Sequence, residues 1–277
     1  MGGYHKIGRF YGIIFYRKCS LEGSNLENNK DSGNYNIKSL MKSLQILEKL
    51  IEQGELSIGE LSKLTGLGKS GIHRILGTFK EMGYVKQNLE DGKYYASIKI
   101  FELGSKVGDR IPFKSIVRKN LEKLYERCSE TVNVAMLDNL DVVFLDKIMT
   151  KEPLRIVLDV GRVVPAYCTG MGKVLLAYEE NINLQDINFI KYSENTLDNA
   201  KKLEKELKLI KEQGYSIDRE EYIKGLICIA VPVKKKNGDV VAAISIAIPA
   251  VRMDYQKKDE YIKMLLETTE EITKELV

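Results

Sequence analysis

Histidine is nearly missing from this chain of 277 residues: only His5 and His73 are present. A cysteine nucleophile needs a base or an electropositive setting to become a thiolate near neutral pH. With one histidine in an unpatterned leader and the other in a helix, no Cys–His pair offers itself. The four cysteines, Cys19, Cys128, Cys168 and Cys228, lie far apart. They lack the paired spacing of a zinc site or of a secreted disulfide framework, which fits a reducing cytoplasm. Long hydrophobic runs are also absent. The longest uncharged apolar stretch, 240–250, is too short to span a bilayer and reads as a buried strand. Lys6 and Arg9 precede an apolar run over 10–16 that imitates a secretion signal, but Arg17 and Lys18 close it without a small-residue cleavage site. Residues 1–34 sustain no period and are rich in Gly, Tyr, Asn and Ser. They are expected to form a disordered leader, with a translation start assigned too far upstream as the alternative.

What is present is an ordinary globular composition, 44% apolar and 30% charged, long enough for two domains. The net charge of +4 is modest but unevenly spread: twelve basic against nine acidic residues over 36–110, and twenty-six against twenty-seven over 111–277. The sign of the N-terminal excess agrees with attraction to phosphate.

The most informative stretch is 57–85, which reads as helix, short turn, helix and strand, the grammar of a winged helix-turn-helix. Ser57 and Glu60 stand three apart ahead of an apolar run and form a capping box. The turn at Gly66, Leu67 and Gly68 stops that helix, because glycine tolerates the left-handed backbone of a tight corner. On the second helix Ile72, Ile75, Leu76, Phe79 and Met82 fall on one side and are expected to be buried. Ser70, His73, Arg74 and Gly77 point the other way, flanked by Lys69, Thr78 and Lys80. Such a face suits a DNA major groove; a plain solvated face, or contact with a protein partner, is the rival reading. Residues 84–87 and 93–96, joined across Asp91 and Gly92, read as the wing, with Lys93 on its return strand. A preceding helix carrying Leu40, Leu44, Leu47 and Ile51 at spacings of four, three and four supplies an expected core stripe. The domain is placed at 35–97, and a helix over 98–109, within a connector 98–112, follows it.

From 113 to 277 the pattern alternates. A helix over 113–128 precedes a hairpin of strands 131–137 and 141–148; strands at 154–158 and 161–164 follow, then a helix over 170–178. A charged helix over 197–213, a hairpin of 226–234 with 239–248, and a C-terminal helix from Asp254 complete it. The sum is α+β, an antiparallel sheet flanked by helices.

Together the two halves resemble the IclR family of bacterial transcription regulators from Ile37 onward. In the first domain the likeness rests on Gly66, Leu67, Gly68, Lys69, Ser70, Gly71, Ile72, His73 and Arg74 through Thr78. In the second it rests on Tyr167, Cys168, Thr169, Gly170, Met171, Gly172 and Lys173 within 161–177, and on 214–221 continuing through Gly225, Cys228 and Pro232 to Ser245. The resemblance implies a DNA reader joined to a GAF-like domain that binds a small metabolite, assembled as a homodimer or homotetramer on double-stranded operator DNA. Most such proteins repress; activation is the alternative. By the same resemblance the backbone of Gly170 and Met171 and the side chains of Asp218, Cys228 and Ser245 contact a small organic acid. A further family serine is replaced by Ala247, and the usual proline and threonine of the recognition segment by Gly68 and Gly71. Gly71 inside a helix costs about 1 kcal/mol relative to alanine.

The site chemistry also stands on its own terms. Gly170 and Met171 open a helix whose free N–H groups and dipole favour an anion. Asp218 is better suited to accept from a ligand hydroxyl, which points to a hydroxy or oxo acid. A phosphate-loop reading of Gly170, Met171, Gly172 and Lys173 fails, because Tyr167 and Val174 stand where a Walker loop needs glycine and Ser or Thr. Lys173 is expected at the domain surface or over the pocket. Cys168 and Cys228 are expected to be buried small hydrophobes; an enzyme using either as nucleophile, or a metal held by both with Asp218, is the minor alternative. No catalytic residue, metal, cofactor or membrane contact is called for.

Overall fold

A computed structural model describes residues 36–156, 158–180 and 182–276. The leader expected over 1–34, with Cys19 and His5, lies outside them. The chain divides into two compact units between Pro112 and Phe113.

The first unit runs α1 (Lys38–Gln53), α2 (Ile58–Thr65), α3 (Lys69–Glu81), β1 (Val85–Gln87), β2 (Tyr94–Ala96) and α4 (Lys99–Gly108). The capping box forms: Ser57 Oγ accepts the Glu60 N–H at 3.2 Å, and Glu60 Oε2 accepts the Ser57 N–H at 2.8 Å. Gly66, at φ 68°, ends α2 in the left-handed region, and Gly68 opens α3. The corner is held by Ser62 Oγ, which donates to the Leu67 carbonyl at 2.7 Å. β1 and β2 pair as an antiparallel hairpin, extended by a bridge between Leu56 and Tyr94. Ile46, Leu50, Leu61, Ile72, Leu76, Val85 and Tyr94 form the core.

Two expectations fail here. Of the α1 stripe only Leu47 is buried; Leu40, Leu44 and Ile51 are about half exposed, and the core takes Ile46 and Leu50 instead. The helix has two apolar sides, and periodicity does not say which one α2 and the hairpin cover. Met82 is 55% exposed because α3 stops at Glu81 and the chain turns away at Gly83, φ 79°.

The second unit contains α5 (Lys114–Cys128), α6 (Gly170–Ala177), α7 (Ala200–Gln213) and α8 (Lys258–Glu275) around one sheet. Its strands are β3 (Thr131–Asp138), β4 (Asp141–Ile148), β5 (Val163–Pro165), β6 (Ser216–Arg219), β7 (Leu226–Lys234) and β8 (Val240–Pro249). The order is β5-β4-β3-β8-β7-β6, every pair antiparallel. Both faces are covered, α6 and α7 on one and α5 and α8 on the other. β7 is therefore buried along almost its whole length instead of alternating. Residues 154–156 and 158 belong to no strand, and β5 is shorter than expected; Pro153, which lacks a ladder donor, opens that segment. α7 starts only at Ala200, because Asn199 caps it by accepting the Lys202 N–H at 2.9 Å. α8 starts at Lys258 after two 3-10 turns, and β6 is a four-residue strand too short to show a period in the sequence.

Candidate effector cavity and recognition surface

On the first unit, burying Ile72 and Leu76 turns the opposite side of α3 outward. Lys69, Ser70 and His73 line an open groove of about 670 Å³ between the starts of α2 and α3 and the hairpin. Arg74 is exposed one position on, and its guanidinium makes no hydrogen bond or ion pair among the described residues. The other expected contacts are already engaged. Thr78 Oγ1 donates to the Arg74 carbonyl at 3.2 Å, within the helix. Lys80 Nζ donates to Gln87 Oε1 at 3.1 Å, and Gln87 Nε2 to the Gly92 carbonyl at 3.1 Å, which ties the end of α3 to the wing. Lys93 stands 3.6 Å from Asp91, a surface pair of small energetic weight. A Cβ added at Gly71 would meet nothing within 4 Å, so packing does not require that glycine.

On the second unit the sheet register builds a site. Asp218 on β6 stands opposite Cys228 on β7, Cys228 opposite Ala247 on β8, and Ala247 opposite Thr131 on β3. Side chains of paired residues share a face, so these four form one row across four strands. Two residues along, Ser245 stands opposite Asn133 and receives its amide at 3.4 Å. Above the rows sits the start of α6. Thr169 Oγ1 accepts the Gly172 N–H at 3.2 Å, which leaves the N–H groups of Gly170 and Met171 without an acceptor among the described residues. Ser216 Oγ holds the Gly170 carbonyl at 2.6 Å. A Cβ on Gly170 would come within 3.1 Å of the Cys228 carbonyl oxygen, so glycine permits this approach of helix to sheet.

Gly170, Met171, Asp218, Cys228 and Ser245 all line one cavity of about 30 Å³, closed by apolar side chains including Phe144 and Leu158. Thr131, Asn133 and Tyr222 line it as well; sequence reasoning missed them. The pairing that carries Thr131 and Asn133 to Ala247 and Ser245 spans more than a hundred residues, and no local signal announces it.

Asp218 is buried, and its Oδ1 accepts the Glu221 N–H at 2.7 Å. Burial, and then the charge of Glu221, push its carboxyl up to about 7. Burial pushes the Cys228 thiol up to about 12, with the charge of Asp218 second, and raises Cys168 well above the ordinary thiol value. Both are neutral thiols near pH 7, poor nucleophiles. Among the described residues no group of three or more His, Cys, Asp or Glu is placed to hold a metal.

Lys173 corrects an expectation. It is 1% exposed, and its Nζ donates to Glu221 Oε1 at 2.5 Å, Glu206 Oε1 at 3.2 Å and the Ile217 carbonyl at 3.2 Å. α6 is buried on all sides, so its lysine must be paired inside the protein, with partners from α7 and the turn after β6.

The raised Asp218 carboxyl has a stability consequence. Its folded value lies above the unfolded one, 3.8. The associated stability is therefore full below about pH 4, declines as pH rises towards 7, and stays lost above. Asp218→Asn keeps an acceptor for the Glu221 N–H and is expected to stabilise the protein at pH 8 by up to about 4 kcal/mol, with the gain vanishing near pH 4. Urea titrations at the two pH values measure this; an equal difference at both would contradict it.

Family models and relatives agree with this architecture. The IclR helix-turn-helix domain matches residues 39–89, and the C-terminal domain of the bacterial transcriptional regulator IclR matches 105–274. The HTH-type transcriptional regulator KdgR of Escherichia coli (strain K12) is 35% identical over 233 residues, covering 83% of this chain and 89% of its own. The transcriptional repressor IclR of the same organism is 31% identical over 244 residues, 86% of this chain and 89% of its own. The crystal structure of Thermotoga maritima IclR superposes with a TM-score of 0.70 at 29% identity, covering 87% of this chain and 99% of that one. A helix-turn-helix unit and a sheet unit, each matched by its family model and together matched by full-length relatives, mean that the chain belongs to the IclR family of transcriptional regulators and carries its DNA-binding helix-turn-helix domain.

Proposed function

We propose that the protein is a cytoplasmic repressor whose grip on double-stranded operator DNA is modulated by a small hydroxy or oxo acid bound between the start of α6 and the sheet. The observation that carries the ligand reading is the pair of N–H groups at Gly170 and Met171, which have no acceptor among the described residues and belong to residues that line the cavity with Asp218. Helix N-termini stabilise anions in this way without a salt bridge. Repression is supported by the relative named a transcriptional repressor. An activator built on the same plan would be separated from it by the sign of the change in a reporter when the gene is deleted. The exposed Leu40, Met41, Leu44 and Ile51 of α1 support assembly as a homodimer or larger, since a contiguous apolar face on a charged helix is a surface that gains by being covered. Effector binding then biases one arrangement of the assembly and alters how two α3 helices fit successive half-sites.

DNA binding is tested at Arg74. Arg74→Ala is expected to weaken operator binding by tenfold or more in gel shifts, because one base or phosphate contact is worth about 1 to 3 kcal/mol. Its unfolding free energy should stay within about 0.5 kcal/mol of the parent, because the side chain is exposed. Full-strength binding by this variant would remove α3 as the reading helix. The effector is sought by thermal melting against a panel of small acids, where a ligand at a hundred times its dissociation constant adds about 2.7 kcal/mol. Stabilisation by amines alone would overturn the ligand reading.

A further inference from the structure

The effector cavity borders a cluster with more carboxylates than cations, buried except for Glu206 at its edge. Lys173 Nζ is shared by Glu221 at 2.5 Å and Glu206 at 3.2 Å, and Glu221 Oε2 is buried with no hydrogen-bond partner. Asp218, a third carboxyl, receives only the Glu221 N–H, on Oδ1; among the described residues no cation donates to it. The groups facing it are Cys228 from β7, Cys168 from the turn before α6, Lys173 from α6, and Glu220 and Glu221 from its own loop. Glu206 of α7 reaches the cluster through Lys173, and Tyr222, bonded to Arg162, shares the cavity. No Lys or Arg is among the described residues lining the cavity, so an anionic effector adds a negative charge that no lining cation meets. Removing that excess in a buried site needs a counter-charge or a proton.

We propose that Asp218 takes up one proton from solvent when the effector binds, so that its Oδ2–H donates to a carboxylate or oxo oxygen of the ligand and the site senses acid and proton together. This rests on the small-acid reading above and reverses the role that the sequence suggests for Asp218, from acceptor to donor. It makes an oxo acid, whose second oxygen can only accept, the better partner than a hydroxy acid at neutral pH and below.

The test is calorimetric titration of the full-length protein with pyruvate, 2-oxobutyrate, lactate and glycolate, from pH 6 to 8.5, in phosphate and in Tris, which differ in ionisation enthalpy. At pH 8 the expected result is uptake of about one proton per bound acid, with affinity falling close to tenfold per pH unit above 7. Pyruvate should bind more tightly than lactate at pH 6, and in Asp218→Asn the uptake and the pH slope should both disappear. Binding with equal heat in the two buffers at pH 8, or unchanged uptake in Asp218→Asn, overturns the proton-linked inference and leaves the small-acid reading standing. If none of the acids binds at any pH, the small-acid reading itself fails and takes this inference with it.

Discussion

Gly172→Ala is expected to cost the protein at least about 3 kcal/mol, enough to remove much of the stability of an ordinary domain. A Cβ at this position would lie 2.2 Å from the Ala166 carbonyl oxygen and 2.4 Å from its Cα, inside the backbone of the turn that precedes α6. That turn has no slack: Ala166 N–H donates to the Leu140 carbonyl at 3.0 Å, and Ala166, Tyr167 and Cys168 are all buried. Relieving the clash requires a shift of an ångström or more in a close-packed interior, beyond what side-chain repacking supplies. The same shift would pull Thr169 from the Gly172 N–H and displace the Gly170 and Met171 donors, so surviving folded protein should also lose its effector response. Chemical denaturation measures the first effect and ligand-induced melting shifts the second. An unchanged midpoint would mean that α6 and the turn are not packed as described.

Lys173→Met should be nearly as damaging, by about 3 to 5 kcal/mol, for an electrostatic reason. It removes the ammonium that holds Glu221, 6% exposed, and leaves a buried carboxylate without its counter-ion. Methionine fills most of the stem's volume, so the loss reflects charge more than a cavity. The double variant Lys173→Met, Glu221→Gln removes both charges and is expected to recover most of the stability, because a buried pair replaced by neutral groups is often close to neutral overall. Equal instability of single and double variants in urea melts would show that Lys173 matters by packing alone.

Much of this was written locally in the chain. The capping box at Ser57 and Glu60, the Gly66 corner, the hairpin over Asp138 and Asn139, where Asn139 takes φ 56°, and the long β7–β8 hairpin are all set by neighbours in sequence. What was not legible depends on partners that sequence spacing does not identify. The stripe on α1 was visible, but its burial was not, since the side that packs is chosen by α2 and the hairpin. Lys173 reads as a lysine at the surface or over the pocket because nothing near it in sequence foretells Glu206 or Glu221. At the cavity the motif marked Gly170, Met171, Asp218, Cys228 and Ser245, whereas Thr131 and Asn133 enter only through the pairing of β3 with β8. On α3 the outward positions were legible, but not that Thr78 and Lys80 would be engaged by the helix and the wing.

The row of Asp218, Cys228, Ala247 and Thr131 has an evolutionary corollary. Each member belongs to a different strand, and α5 and α8 cover β3, β7 and β8 from the other face of the sheet. A codon change at any one of them alters the lining of the cavity while leaving the register and the far side of the sheet intact. Under the proposed reading, the lining of the effector cavity is therefore free to change one strand at a time, without the scaffold having to be reinvented for each new metabolite.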